Sequence, residues 1–210
     1  MLPDFMMTDT VYHLSISKNI VETGTLPLQS EELGITNLFP ALFHVFIASN
    51  SILTGIAINP ASTTIFAVLI SLLQLLVTVI LLRELFPKSW EYGAAFFTML
   101  PLLTKFAGVN YPETLASLFV VVSFYFYVRF NKTSELKYLL IAPFSLAAMA
   151  LTKLNATILL PAFVIFFTYS AWKKKTNLKS IALFIIITAL LSGAWFALEF
   201  TRAGSVIASN

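Results

Sequence analysis

The sequence predicts an all-α fold, a polytopic transmembrane helix bundle preceded by an N-terminal interfacial helix and loop. Three observations carry this expectation. Of the 210 residues, 58% are hydrophobic and only 11% are charged, whereas a soluble domain carries roughly 25% charged residues. From Leu38 onward the chain is a series of apolar runs with short polar breaks, many near the ~20 residues that cross a bilayer. The runs are continuous rather than alternating, and open strand edges cannot be satisfied in lipid.

Residues 1–37 differ from the rest. They hold Asp4, Asp9, Lys18, Glu22, Glu31 and Glu32 around a helix-compatible stretch from about Thr8 to Thr23, with Gly24 and Pro27 as its stop. This segment reads as a non-cytoplasmic acidic loop with an interfacial helix. It lacks the basic start and long apolar run of a signal peptide. Residues 38–210 form the transmembrane helical bundle, with about six to seven apolar helices. The expected spans are Leu38–Ile58, Thr63–Leu82, Tyr92–Val109, Glu113–Phe130, Tyr138–Thr152, Asn155–Trp172 and Ser180–Phe200. Tyr138–Trp172 is too long for one crossing and reads as a hairpin turning at Lys153 and Asn155.

Charge placement sets up a conflict. Lys173, Lys174, Lys175 and Lys179 form the strongest basic loop, which the positive-inside rule puts in the cytoplasm. Six crossings counted back from there place the N-terminal segment in the cytoplasm too, although its acidity suits the outside. One span must then fail to cross, and Leu38–Ile58 and Tyr138–Thr152 are the weakest. Cysteine is absent, which excludes disulfides and thiolate metal sites. The net charge of +3 makes no case for nucleic acid.

Ionisable groups in or beside membrane helices are costly, and they default to functional hypotheses. On a helix beginning near Asp9, positions 9, 12, 13, 16 and 20 share one face, so Asp9, Tyr12 and His13 project together. That set suits general-base work or a cation; the alternative is an N-cap at Thr8 or Asp9 with Tyr12 and His13 as headgroup anchors. His44 stands one turn into an apolar helix, near a polar site or bonded to a backbone carbonyl. Glu113 follows Pro112 in a polar turn, where both suit a first helical turn. Lys153 and Lys105 can bind lipid phosphate as point charges or snorkel to the interface. Walker-type glycine loops, HExxH and the nucleophile elbow are all missing from the sequence.

Together these pieces resemble the GT-C type of polytopic glycosyltransferases, the superfamily of the dolichyl-phosphate-mannose protein mannosyltransferases. Asp9, Tyr12 and His13, then Gly24 and Pro27, are similar to its first non-cytoplasmic loop, near the catalytic acid. Pro40, Leu42, Phe43 and His44, then Leu53, Thr54 and Gly55, are similar to the segment opening its next helix. Tyr111 to Leu115 and Leu151 to Lys153 also have counterparts. The likeness spans roughly residues 8–160, and order and spacing carry it rather than any one motif. It implies sugar transfer from a polyprenyl-phosphate donor to an acceptor at the outer membrane face. Asp9 would be the catalytic acidic residue, acting as base toward the acceptor or as ligand to a divalent cation. Tyr12, His13, His44, Glu113 and Lys153 would be donor-binding, with His13, His44 and Lys153 lining the phosphate. It further implies a multi-pass protein, of a prokaryotic plasma membrane, with the bilayer and the lipid-linked sugar as its partners. Family members usually carry a helix before the acidic loop and run longer, so an N-terminal fragment is expected, which need not be active alone. The rival reading is a non-catalytic polytopic protein, such as a transporter or flippase component for polyprenyl lipids.

Overall fold

The computed structural model describes residues 4–26, 29–30, 35–36, 41–99, 112–173 and 177–208. Among them are eight α-helices. These are α1 (Asp4–Thr23), α2 (Leu42–Thr54), α3 (Pro60–Leu85), α4 (Trp90–Met99), α5 (Pro112–Thr133), α6 (Leu136–Thr152), α7 (Leu159–Trp172) and α8 (Leu178–Ala208). A 3-10 turn, Leu154–Ile158, joins α6 to α7. Between α1 and α2, Gln29–Ser30 pairs antiparallel with Ile35–Thr36, a two-residue ladder that leaves the all-α class intact.

Local chemistry explains most boundaries. Gly24 follows α1 at φ 69°, a conformation that costs glycine little and ends helices. Asn59 caps α3: its side chain accepts from the Ser62 N–H at 2.9 Å, the Ser62 hydroxyl receives the Asn59 N–H at 3.2 Å, and Pro60 fills the first turn. Pro112 likewise opens α5. One boundary differs from expectation. Helix α1 begins at Asp4, so Thr8 and Asp9 lie inside it and neither is its N-cap.

Among the described residues three helices are long and apolar enough to cross a membrane: Pro60–Leu85, Pro112–Thr133 and Leu178–Leu198. At 1.5 Å per residue, α3 and α5 reach about 39 and 33 Å against ~30 Å of hydrocarbon. Their outward faces are apolar, as on α3, where Ile65, Leu69, Leu72 and Leu76 are exposed. By contrast α2, with 13 residues, reaches only about 20 Å.

Side-chain contacts fix how the helices run. Gln74 meets Ser117 and Glu84 meets Arg129, so α3 and α5 are parallel. Glu113 meets Lys153, Ser123 meets the Ala142 carbonyl, and Arg129 lies over Tyr138, so α5 and α6 are antiparallel. Phe124 against Phe163 and Tyr127 against Phe167 make α7 parallel to α5. Phe184 joins them from the first part of α8. The bundle thus has two ends. The first holds the start of α5 and the end of α6; the second holds Glu84, Arg129, Lys132 and the turn into α6. Because Gln74 is level with Ser117, roughly the first nine residues of α3 stand beyond the start of α5, about 13 Å. Helix α2 packs beside that extension, with Phe46 against Phe66 at 5.2 Å.

The core lies between α5, α6, α7 and α8. Ala142, Met149 and Ala150 are fully buried with Phe167 and Tyr127. Small residues let membrane helices approach closely, and packing then holds them where lipid removes the hydrophobic drive. A second cluster of Phe43, Ile47, Ile70, Leu115 and Leu118 ties α2 to α3 and α5.

Candidate active site

Two polar pairs stand at the first end. Helix α1 turns Tyr12, His13, Ile16 and Ser17 inward, the face expected from the one-turn spacing, and packs on α2. There His13 Nδ1 meets His44 Nε2 at 2.9 Å. The partner of His44 is therefore an imidazole 31 residues away, where a backbone carbonyl was the simpler expectation. Phe43 packs edge-on to His13, as does Tyr12, and the Ser17 hydroxyl donates to the His13 carbonyl at 2.9 Å. Burial raises the Tyr12 phenol above its ordinary value. His44 is 0% exposed, and among the described residues its Nδ1 has no hydrogen-bond partner.

The pair has a fixed proton requirement. A neutral imidazole offers one donor and one acceptor nitrogen, while an imidazolium offers two donors. A 2.9 Å contact between two ring nitrogens needs one proton between them. At least one ring must be neutral, since two cationic rings would turn N–H against N–H.

The second pair joins the start of α5 to the end of α6. Lys153 Nζ donates to Glu113 Oε1. Helix α6 ends at Thr152, and Lys153 adopts an extended backbone (φ −149°, ψ 124°) before the 3-10 turn, which swings its side chain toward the α5 N-terminus. The Lys153 side chain is 26% exposed and Glu113 55%, so this pair borders the surroundings of the bundle while the histidines are enclosed. Glu113 stands in the first turn of α5, as its sequence context predicts. The cluster containing Phe43 and Leu115 connects the two pairs through residues one position from His44 and two from Glu113. An apolar cleft lined by Ile47, Thr54, Ile58 and Phe66 opens between α2 and α3 one turn from His44.

Of the residues singled out in the sequence, Tyr12, His13, His44, Glu113 and Lys153 all fall at this end. Asp9 lies on α1 one turn before His13, and its side chain is outside the described residues. Lys105, Tyr111, Pro27, Pro40 and the acids Glu31 and Glu32 also lie outside them. Among the described residues no three His, Asp or Glu side chains group as metal ligands.

A charge network at the opposite end was not anticipated. Glu84 receives Arg129 Nη1 at 2.9 Å and Lys132 Nζ at 2.7 Å, and the Arg129 guanidinium lies 5.6 Å from the Tyr138 ring centre. Glu84 and Arg129 each occupy an end of a long apolar helix. An isolated charge at such a position calls for a partner, and that was the available signal.

Fold and site together define an integral membrane protein, a helical bundle with its buried histidines and a bordering ion pair gathered at one end. The sequence matches the family model described as dolichyl-phosphate-mannose-protein mannosyltransferase over residues 38–196, most of the chain. The chain belongs to this family and is a membrane glycosyltransferase of mannosyltransferase type. The match starts after α1, so Asp9, Tyr12 and His13 stand outside it. No curated protein and no solved structure shows significant similarity to the chain.

Proposed function

We propose that the protein transfers a sugar from a polyprenyl-phosphate donor to an acceptor at the outer face of a prokaryotic plasma membrane, which it crosses several times. The carrying observation is the polarity of the bundle. The end opposite the two pairs holds Arg83, Lys88, Arg129, Lys132, Lys137, Lys173 and Lys179, seven of the 13 basic residues of the sequence. By the positive-inside rule that end is cytoplasmic, and the pairs then face outward. A non-crossing α2 reconciles the acidic start of the chain with its basic loop. Five passes separate them, α3, the return of the chain between Trp90 and Pro112, α5, α6 and α7 with the turn before it, and α1 lies outside.

In this reading residues 1–37 are the outer loop and residues 38–210 the bundle. Asp9 is the general base that takes the proton of the acceptor hydroxyl. Lys153 meets the donor phosphate as a charge-assisted donor, and Glu113 holds its ammonium in place. The apolar cleft beside α2 suits the polyprenyl tail. His13 and His44 are closed off and meet the phosphate only if α1 moves, and Tyr12 packs with them. The test is native mass spectrometry of the protein in bilayer nanodiscs, followed by transfer of labelled mannose from polyprenyl-phosphate mannose. Retained polyprenyl phosphate and labelled product are expected. Failure to retain that lipid while ordinary phospholipids stay bound refutes the assignment.

A further inference from the structure

We propose that His44 is a positioning residue: acting through His13, it clasps α1 onto the bundle and so sets Asp9 at the site, and the clasp opens when both imidazoles are protonated. The catalytic consequence rests on the function proposed above; the clasp itself does not.

The geometry carries the clasp. Helix α1 docks on α2, and its buried face has two polar side chains wholly or nearly enclosed, His13 at 6% and Ser17 at 0% exposure. Ser17 bonds back within its own helix, whereas His13 reaches across to α2 at 2.9 Å. Position 9 is one turn from position 13, so whatever fixes His13 fixes the face that bears Asp9. The contact has no form in which both rings are cationic, and His44 has no exposed surface through which water could stabilise a second charge.

Among the described residues, these charged and titratable groups lie on the elements around the pair. On α1 the neighbours are Tyr12 and, one turn away, Asp9, while Lys18 and Glu22 pair with each other on the exposed side. Helix α2 has no other ionisable residue, and α3 has none before Arg83 near its far end. From α5 and α6 come Glu113 and Lys153, which neutralise each other. The released state binds more protons than the docked one, because burial and then the neighbouring His13 lower the docked His44 imidazole to about 3; docking is strongest at neutral pH and weakens progressively as the pH falls below about 6.5 toward that value.

The absence of cysteine allows a direct test in bilayer nanodiscs. Single thiols are placed by Ser17→Cys on the buried face of α1 and by Val11→Cys on its exposed face (56%). The ratio of their maleimide labelling rates cancels the pH dependence of the reagent. In the parent protein this ratio should be low at pH 7.5 and rise about tenfold by pH 5 as the histidines become charged. With His44→Gln, which cannot charge, the ratio should be independent of pH, and a thiol from Ser145→Cys in α6 should stay protected, marking an intact bundle. A parent ratio that stays low to pH 5, or one that rises equally in His44→Gln, overturns the proposal. Loss of Ser145→Cys protection at pH 5 in the parent also overturns it, because the whole bundle would then be opening. Labelling needs no sugar transfer, so acid release of α1 in a protein without transferase activity would keep the clasp and sink the enzymatic reading. Where transfer is measured, its acid limb should disappear in His44→Gln.

Discussion

Replacing Lys153 with methionine separates donor binding from scaffolding. Glu113 is more than half exposed and Lys153 about a quarter, so the pair resembles a surface ion pair, worth about 0–1 kcal/mol. Losing it should lower the unfolding temperature by no more than about 4 °C in a protein of this size. A hydrogen bond from the ammonium to a donor phosphate is a larger quantity, about 1.5–3 kcal/mol for a charged partner. Its loss should raise KM for the lipid-linked sugar roughly 10- to 150-fold. Binding that is equal in ground and transition states changes KM and leaves kcat alone. Glu113→Gln keeps the ammonium and loses only its tether, so KM should rise less, by under about fivefold. The assay is transfer of labelled sugar at varied donor concentration in nanodiscs, with thermal unfolding in the same preparation. An unchanged KM in Lys153→Met, with the protein folded, refutes the phosphate role. A fall in unfolding temperature much beyond 4 °C shows that the pair is chiefly structural.

Asp9→Asn should reduce transfer at least ~100-fold, the lower range for losing a general base, while native mass spectrometry still finds the lipid bound; equal transfer by the variant refutes the base assignment. Glu84→Gln leaves Arg129 and Lys132 facing each other without their carboxylate; the unfolding temperature should fall by roughly 2–4 °C, and added salt should recover much of the loss by screening. Ser123→Ala removes a buried bond from α5 to the Ala142 carbonyl (2.8 Å); the cost should be about 0.6 kcal/mol, the usual size for hydrogen bonds between membrane helices, measured by unfolding in mixed micelles.

Much of the architecture was legible because local chemistry set it. Asn59 and Pro60, Pro112 and Gly24 mark helix ends through capping and backbone preference, which act over a few residues. The seven apolar runs all contain helices at the expected places, with the second part of Tyr92–Val109 beyond the described residues. Spacing could not reveal the pairing. His13 and His44 are 31 residues apart, Glu113 and Lys153 are 40 apart, and Glu84 lies 45 and 48 from its two partners. Each pairing depends on which helices become neighbours and in what register; Ala142, Met149 and Phe167 pack α5 to α8 together, and Phe43, Ile70 and Leu115 pack α2, α3 and α5, so apolar contacts far apart in sequence do that work. The start of α1 was misjudged for a local reason. Asp9 makes a good cap, but Asp4 and the following Phe5, Met6 and Met7 continue a helix equally well.

Pairing by itself does not mark a site in such a bundle. Hydrocarbon offers no water to an unsatisfied polar group, so polar residues inside it must find one another whatever the protein does. Gln74 with Ser117 and Ser123 with the Ala142 carbonyl meet that need, and their depth between helices leaves them little else to meet. The Glu84 network does the same at the cytoplasmic end of the proposed topology. Glu113 and Lys153 differ because lipid packing does not require them: at a helix start and a helix end, more than half and a quarter exposed, each could be solvated alone. The histidine pair differs in the opposite way. It encloses two titratable rings where an apolar pair would pack α1 onto α2 without any dependence on protons. Substituting both with leucine should therefore leave α1 docked at every pH, and the labelling ratio of the Ser17→Cys and Val11→Cys proteins should become low and flat from pH 7.5 to pH 5. A ratio in that double variant that still climbs with acid would move the proton sensitivity to some other group on α1.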